Sequence, residues 1–336
     1  MEKPKRNFKQ YMQLVFNGFA MGTANIIPGV SGGTMAFILG MYEELIDSIR
    51  QFASMETFNL AVKFKIKDLY NILPWRFLLA VGIGVLIAIA SLSKVLSYAL
   101  NEYPAITFAF FFGLIVASIL TVLKRIKKWS ASRIAAIFAG SLIAYFIVTL
   151  VPVETPHTWW NLFICGAIII CAMILPGISG SFLLLILGQY KYVLDAVNNR
   201  QIMILFWVAA GCAVGLASFV HLLNWLFKKF HDLTVATLIG FMIGSLWKLW
   251  PWQRDTIVRA GKEVLTLPAD AQKLQELTKL GLVKIKVLVR ENVFPETIDG
   301  AFWLAVALAV VGFAVVMIME KMAMGKDKED TEQKVV

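Results

Sequence analysis

The chain has 336 residues, 59% hydrophobic and only 16% charged, with a mean hydropathy of +0.72; too few polar residues are available to cover a water-soluble surface, and a bilayer is the expected solvent. The net charge of +10 would suit nucleic acid, but the basic residues fall in short runs beside apolar segments. These are Lys3, Lys5 and Arg6; Lys124, Arg125, Lys127 and Lys128; and Lys228 with Lys229, the positive-inside pattern of a membrane protein, so anionic membrane lipids are expected partners and nucleic acid is not.

In chain order, a basic start leads into an apolar stretch that superficially resembles a secretory signal. A segment like 26–49 recurs in mid-chain, where no signal peptidase acts, so the first copy reads as structural. Residues 10–49 form an apolar hairpin interrupted by Pro28, Gly29, Ser31 and Gly32, and a polar connector 50–75 follows. Segments 76–100, 104–123 and 132–151 each reach the roughly 20 apolar residues that cross a ~30 Å hydrocarbon layer, and complete a first repeat over 1–151. The second repeat, 158–322, has a hairpin at 159–197, spanning segments 202–227, 232–250 and 299–319, and an amphipathic excursion 251–298. Residues 323–336 form a cytoplasmic tail.

The repeat rests on an alignment of NIIPGVSGGTMAFILGMYEELIDSI, 25–49, with MILPGISGSFLLLILGQYKYVLDAV, 173–197. Pro28 meets Pro176, Gly29 Gly177, Ser31 Ser179, Gly32 Gly180, Gly40 Gly188, Tyr42 Tyr190 and Asp47 Asp195. Further on, Gly84, Thr107, Gly113 and Ser118 meet Gly211, Thr234, Gly240 and Ser245. Pro and Gly prevent one continuous helix through either motif. Two shapes fit: a re-entrant hairpin with its tip near the midplane, or a broken helix that crosses fully. Short arms, and a connector of the same basic sign as the N-terminus, favour the re-entrant form. Three crossings then separate the motifs, so the halves are inverted, and the loops at 124–131 and 228–231 and the C-terminal tail share the side of the N-terminus.

Inverted repeats with interrupted helices suit a secondary transporter. A helix beginning at Ser31 or Ser179 leaves backbone N–H groups free, Gly32, Gly33 and Gly180 allow close approach, and Ser31, Thr34, Ser179 and Ser181 add hydroxyls. Two facing tips, with Asn25, Gly29 and Gly177 beside them, would hold a phosphate by neutral donors. The bland alternative is a kink with small residues for tight helix packing. Asp47 and Asp195 are equivalent and lie near the headgroups or couple protons; Lys94 and His221 are equivalent and snorkel or attract a headgroup. Cys165, Cys171 and Cys212 lack metal-site spacing, as do His157, His221 and His231, so neither metal nor cofactor is expected.

NIIPGVSGGT at 25–34 and LPGISGS at 175–181, with Gly40 to Tyr42 and Gly188 to Tyr190, give the chain its resemblance to the polyprenol-phosphate translocase family, PopT-like. The resemblance implies an all-α polytopic protein of the bacterial cytoplasmic membrane that flips undecaprenyl phosphate from the outer to the inner leaflet, recycling the carrier for wall polymers. Membrane undecaprenyl-diphosphate phosphatases share repeated Pro-Gly-x-Ser hairpins, but look to need an Arg where Gly32 and Gly180 stand, together with a Glu cluster. Without that cation, phosphoryl transfer would lack its main electrostatic support, so an enzyme is not expected. A small-anion carrier or channel using the same helix ends is a third class.

Overall fold

The computed structural model describes residues 6–26, 31–150, 155–260, 263–267, 285–295 and 297–332. Thirteen helices and three strands are described. The first half runs α1 (Phe8–Ile26), α2 (Gly32–Ile38), α3 (Tyr42–Phe52), α4 (Met55–Val62), α5 (Ile66–Ile72), α6 (Trp75–Glu102), α7 (Pro104–Leu123) and α8 (Ala131–Thr149). The second runs α9 (Trp159–Ile174), α10 (Gly180–Ile186), α11 (Tyr190–Asn198), α12 (Ile202–Ser245), β1 (Gln253–Ala260), β2 (Glu263–Thr266), β3 (Ile285–Asn292) and α13 (Gly300–Glu332).

Five of these helices, α6, α7, α8, α12 and α13, are long and apolar enough to cross a bilayer. At 1.5 Å per residue, the 28 residues of α6 span about 42 Å. Pro104 opens α7 at a position whose missing N–H costs nothing. The expected segments 202–227 and 232–250 form one helix, α12, interrupted by a single residue, Phe230, at φ −136° and ψ 46°. Lys228 and Lys229 mark the break, and neither Pro nor Gly is needed to make it. Helix α13 continues to Glu332, beyond the expected end at 319.

The connectors 53–54, 63–65 and 73–74 join two short helices, α4 and α5; Phe58 on α4, Phe64 between them and Ile66 on α5 are exposed. The excursion 251–298 carries an antiparallel sheet of order β2-β1-β3, with Asp255 opposite Arg290 and Ile257 opposite Thr266. Alternation of Lys284 and Lys286 with apolar neighbours is the period of a strand, which accounts for β3. Residues 268–284, part of that amphipathic stretch, lie outside the described residues. The sheet is tied to the end of α12 by Asn292 Nδ2 donating to Trp247 O at 2.7 Å and Trp250 Nε1 donating to Val293 O at 2.8 Å.

Helix pairing follows small residues. Helix α1 lies along α6, where a Cβ on Gly84 would stand 1.9 Å from Val15 O, and α9 lies along α12, where one on Gly211 would stand 1.9 Å from Phe163 O. Helix α8 packs on the distal part of α12, at Gly140, Gly240 and Gly244, and α13 packs on α7, at Gly113 and Gly312. Each half thus lends its last long helix to the other half. The resulting core holds Phe37, Tyr42, Ile115, Leu238, Ile239 and Met242, all essentially inaccessible.

Candidate functional site at the hairpin tips

Both short helices that follow the motifs end in the same way. Gly40 (φ +73°) donates its N–H to Phe37 O while Met41 donates to Ala36 O; Gly188 (φ +68°) donates to Leu185 O while Gln189 donates to Leu184 O. This pairing at a left-handed glycine is the Schellman cap, and it turns the chain sharply from α2 into α3 and from α10 into α11. The Gly-x-Tyr spacing of the sequence repeat therefore has a backbone cause. Tyr42, just past the first turn, is 1% exposed.

At the first tip, Pro28 and Gly29 lie outside the described residues. Ser31 caps α2: its backbone is extended (φ −117°, ψ 135°) and its Oγ accepts from Gly33 N at 3.1 Å. Asn25, at the end of α1, accepts from Gly32 N at 2.7 Å through Oδ1. The hydroxyl of Ser31 also points across to the second motif, donating to Leu175 O at 3.0 Å with Met173 O at 3.3 Å. Tyr42 Oη donates to Ile174 O at 3.2 Å. These three carbonyls end α9, where no intrahelical partner remains and Pro176 brings no N–H. The first hairpin therefore caps the helix that leads into the second.

The contact is reciprocal. Gly177 donates its N–H to Thr34 Oγ1 at 2.9 Å, with Thr34 fully buried. Gly33 sits so close that a Cβ there would lie 2.3 Å from Ile174 O, and Gly177 (φ +88°) would carry a Cβ 2.7 Å from Phe241 O. Both glycines are required by close approach, and Gly177 also by its backbone angle.

The two tips differ in what they leave open. In the first, Ser31 and Thr34 are buried and engaged. In the second, Ser179 starts α10 without a side-chain cap, its Oγ shares a hydrogen bond with Ser181 Oγ at 3.0 Å, and Ser181 is exposed. Gly180 is buried against Met173 and Ile169 of α9. The first tip's hydroxyls thus bond to the second hairpin, while those of the second tip bond to one another.

Two cations stand against the short helices. Lys248 places Nζ 4.7 Å from the ring centroid of Phe182, three residues past Ser179, and Arg125 lies 5.6 Å from the ring of Phe37 with Nη2 3.5 Å from Ile38 O. Burial pushes the Lys248 ammonium below the ordinary lysine value, with Arg290 adding to the shift. Arg125 is also lowered by burial, against the pull of Glu43 and Glu320. No carboxylate forms an ion pair with Lys248 among the described residues. Sequence reasoning missed both residues, treating Arg125 as one of a basic run. The available signal for Lys248 was that it is the one charged residue in the apolar segment 233–250.

The remaining candidates are not gathered at the tips. Asp47 accepts from Asn224 Nδ2 on α12 and lies 3.4 Å from Arg50 Nε, whereas Asp195 is exposed on α11. Lys94 is exposed on α6, and His221 is exposed on α12 with Nδ1 2.6 Å from Ala217 O. Among the described residues no cluster of three metal-ligating side chains occurs.

A family described as undecaprenyl phosphate translocase-like matches residues 21–264, which include both tips. The chain is 42% identical over 246 residues to a polyprenyl-phosphate transporter of Vibrio cholerae serotype O1, covering 72% of this chain and 79% of that protein. It is 32% identical over 264 residues to a polyprenyl-phosphate transporter of Staphylococcus aureus, covering 73% and 88%. No solved structure matches it. With its apolar helices and paired Pro-Gly-x-Ser-Gly tips, the chain is a multi-pass membrane protein that belongs to the undecaprenyl phosphate translocase-like family.

Proposed function

We propose that the protein transports a polyprenyl phosphate lipid across the membrane, with the phosphate passing the paired hairpin tips and the apolar tail remaining in the bilayer. The observation that carries this reading is the contact between the two motifs, Ser31 Oγ to Leu175 O at 3.0 Å and Gly177 N to Thr34 Oγ1 at 2.9 Å. The names of the Vibrio and Staphylococcus relatives support the substrate class.

In this reading the hairpins are re-entrant, the halves are inverted, and the tips form the barrier. Hydrogen bonds between the tips satisfy buried polar groups when no phosphate is present, so the empty protein does not leak. An arriving phosphate meets the exposed Ser181 first, with Lys248 as the nearby attracting charge, and reaches the buried Ser179 and the uncapped start of α10 only as the tips part. It then competes for the hydroxyls of Ser31 and Thr34, and the tips part. The exchange of phosphate for carbonyl and hydroxyl partners keeps the cost of removing the headgroup from water low. Undecaprenyl phosphate moving from the outer to the inner leaflet of a bacterial cytoplasmic membrane, for carrier recycling, is the specific form of this proposal. Phosphoryl transfer is not part of it: Gly32 and Gly180 stand at the motif positions where the undecaprenyl-diphosphate phosphatases that the chain resembles look to need an Arg.

The test is reconstitution in liposomes, following transbilayer movement of undecaprenyl phosphate for the wild type and for Ser31→Ala with Ser179→Ala, with released inorganic phosphate assayed in parallel. Movement that falls in the double variant without phosphate release supports the proposal. Absence of wild-type movement under proton and sodium gradients contradicts it, and stoichiometric phosphate release points to an enzyme.

A further inference from the structure

Away from the tips, a cavity of about 400 Å³ opens between the start of α8 and the break in α12, lined by Ser132, Arg133, Lys229, His231 and Asp232 among others. It lies on the face that holds the 124–131 loop, since Lys128 N donates to Asp232 Oδ2 at 3.2 Å. Its charges are unbalanced. Asp232 is occupied by that N–H and by His231 Nδ1 at 3.3 Å, and the other nitrogen of His231 meets Glu43 at 3.2 Å. Lys229 stands over two aromatic faces, with Nζ 5.4 Å from the centroids of Trp225 and Phe230, and no carboxylate pairs with it among the described residues.

Arg133 is the sharper observation. Its Nη1 donates to Ser130 Oγ at 2.7 Å, which holds the guanidinium at the cavity wall, and no carboxylate forms an ion pair with it among the described residues. A guanidinium beside a lysine, with no carboxylate paired to either among the described residues, leaves the lining short of negative charge, which an anion arriving in the cavity supplies. The first turn of the 19-residue α8 adds backbone donors, because Ser130 at its cap makes no side-chain bond to them. Around this polar floor, Trp225, Phe230 and Ile134 are exposed, and they suit an acyl or prenyl chain.

We propose that this cavity binds the phosphate group of a membrane lipid, as a second phosphate site separate from the hairpin tips. A basic pocket between spanning helices at the level of the headgroups is the chemistry such a group requires. Arg133 supplies a guanidinium, Lys229 a point charge held by two rings, and Ser132 a hydroxyl. The ligand is either the phosphate diester of an anionic phospholipid or the monoester of a polyprenyl lipid. The inference rests on α8 and α12 spanning the membrane and stands whether or not the tips carry out transport.

The test is native mass spectrometry of the purified full chain in detergent, titrated separately with phosphatidylglycerol, farnesyl phosphate and phosphatidylcholine. The wild type is expected to retain one phosphatidylglycerol or farnesyl phosphate in preference to phosphatidylcholine, and Arg133→Gln with Lys229→Gln to weaken that binding at least about tenfold. Lys63→Gln with Lys65→Gln removes the same charge from the connector before α5 and should leave binding unchanged. Ser132→Glu, at an exposed position, places a carboxylate in the cavity and should abolish binding even if the double variant folds poorly. Retention of both phosphate lipids assigns a general phospholipid site; retention of farnesyl phosphate alone assigns a polyprenyl phosphate site. Equal loss in the connector control, unchanged binding in Ser132→Glu, or no preference over phosphatidylcholine overturns the proposal.

Discussion

Replacing Thr34 by Val probes the contact between the tips with almost no change of shape. Thr34 is fully buried, and its Oγ1 is the acceptor for Gly177 N. Valine removes that acceptor and leaves a buried N–H unpaired, at a cost of about 1–3 kcal/mol. If the bond forms only while the tips are closed, that cost shifts the closed-to-open ratio about 5- to 150-fold toward open. The readout is the rate at which a cysteine at Ser179 reacts with a small membrane-impermeant thiol reagent, in a background with Cys165, Cys171 and Cys212 replaced. Ser179 is 8% exposed, so reaction requires opening. Thr34→Val should accelerate labelling within that range, and Thr34→Ser, which keeps the oxygen, should not. Equal labelling of all three proteins, at equal thermal stability, would refute the claim that this hydrogen bond holds the tips together.

Other consequences can be measured alongside. Lys248→Gln should weaken lipid phosphate binding about tenfold, while Lys248→Arg should retain most of it. Because burial lowers the Lys248 pKa, its charge is present at low pH and lost as pH rises at values below those for an exposed lysine; wild-type affinity should fall with it, and Lys248→Arg should flatten the profile. Gly177→Ala should cost about 1–3 kcal/mol and lower the melting temperature, through its φ of +88° and the clash with Phe241 O, whereas Gly82→Ala, with open space at its Cβ, should be neutral. Gly113→Ala, whose Cβ would fall 1.9 Å from Ala309 O, should separate α7 from α13 and destabilise the fold by a similar amount, read by thermal unfolding in detergent.

What could be read from the sequence is what repeats or what is local. The doubled Pro-Gly-x-Ser-Gly motif, the apolar lengths of α6, α7 and α8, and the Gly-x-Tyr spacing are all written in consecutive residues. Gly40 and Gly188 turn out to be left-handed helix caps, a backbone requirement that repeats because the geometry does. The partners of the tip residues are not local: Ser31 finds Leu175 and Thr34 finds Gly177 across more than 140 positions. Sequence reasoning therefore finds the donors but cannot say that they are already engaged. It also assigns charged residues at helix ends to the headgroups, and so overlooks Lys248 and Arg125, whose charged ends stand over the rings of Phe182 and Phe37. The sheet β1 to β3 is missed for a different reason. Its alternating pattern suits a membrane-surface segment as well as a strand, and only pairing with Gln253–Ala260 decides between them.

The central claim is that the tips must part for a lipid phosphate to pass, and bridging them tests it most directly. A Ser31→Cys, Leu175→Cys pair in the cysteine-free background, joined by a short reducible bifunctional thiol reagent, should stop transbilayer movement of undecaprenyl phosphate in liposomes, and reduction should restore it. Each single cysteine treated in the same way should move lipid faster than the bridged pair, which separates the effect of the bridge from loss of the Ser31 hydroxyl. Movement that continues at the unbridged rate with the tips covalently joined would contradict the account.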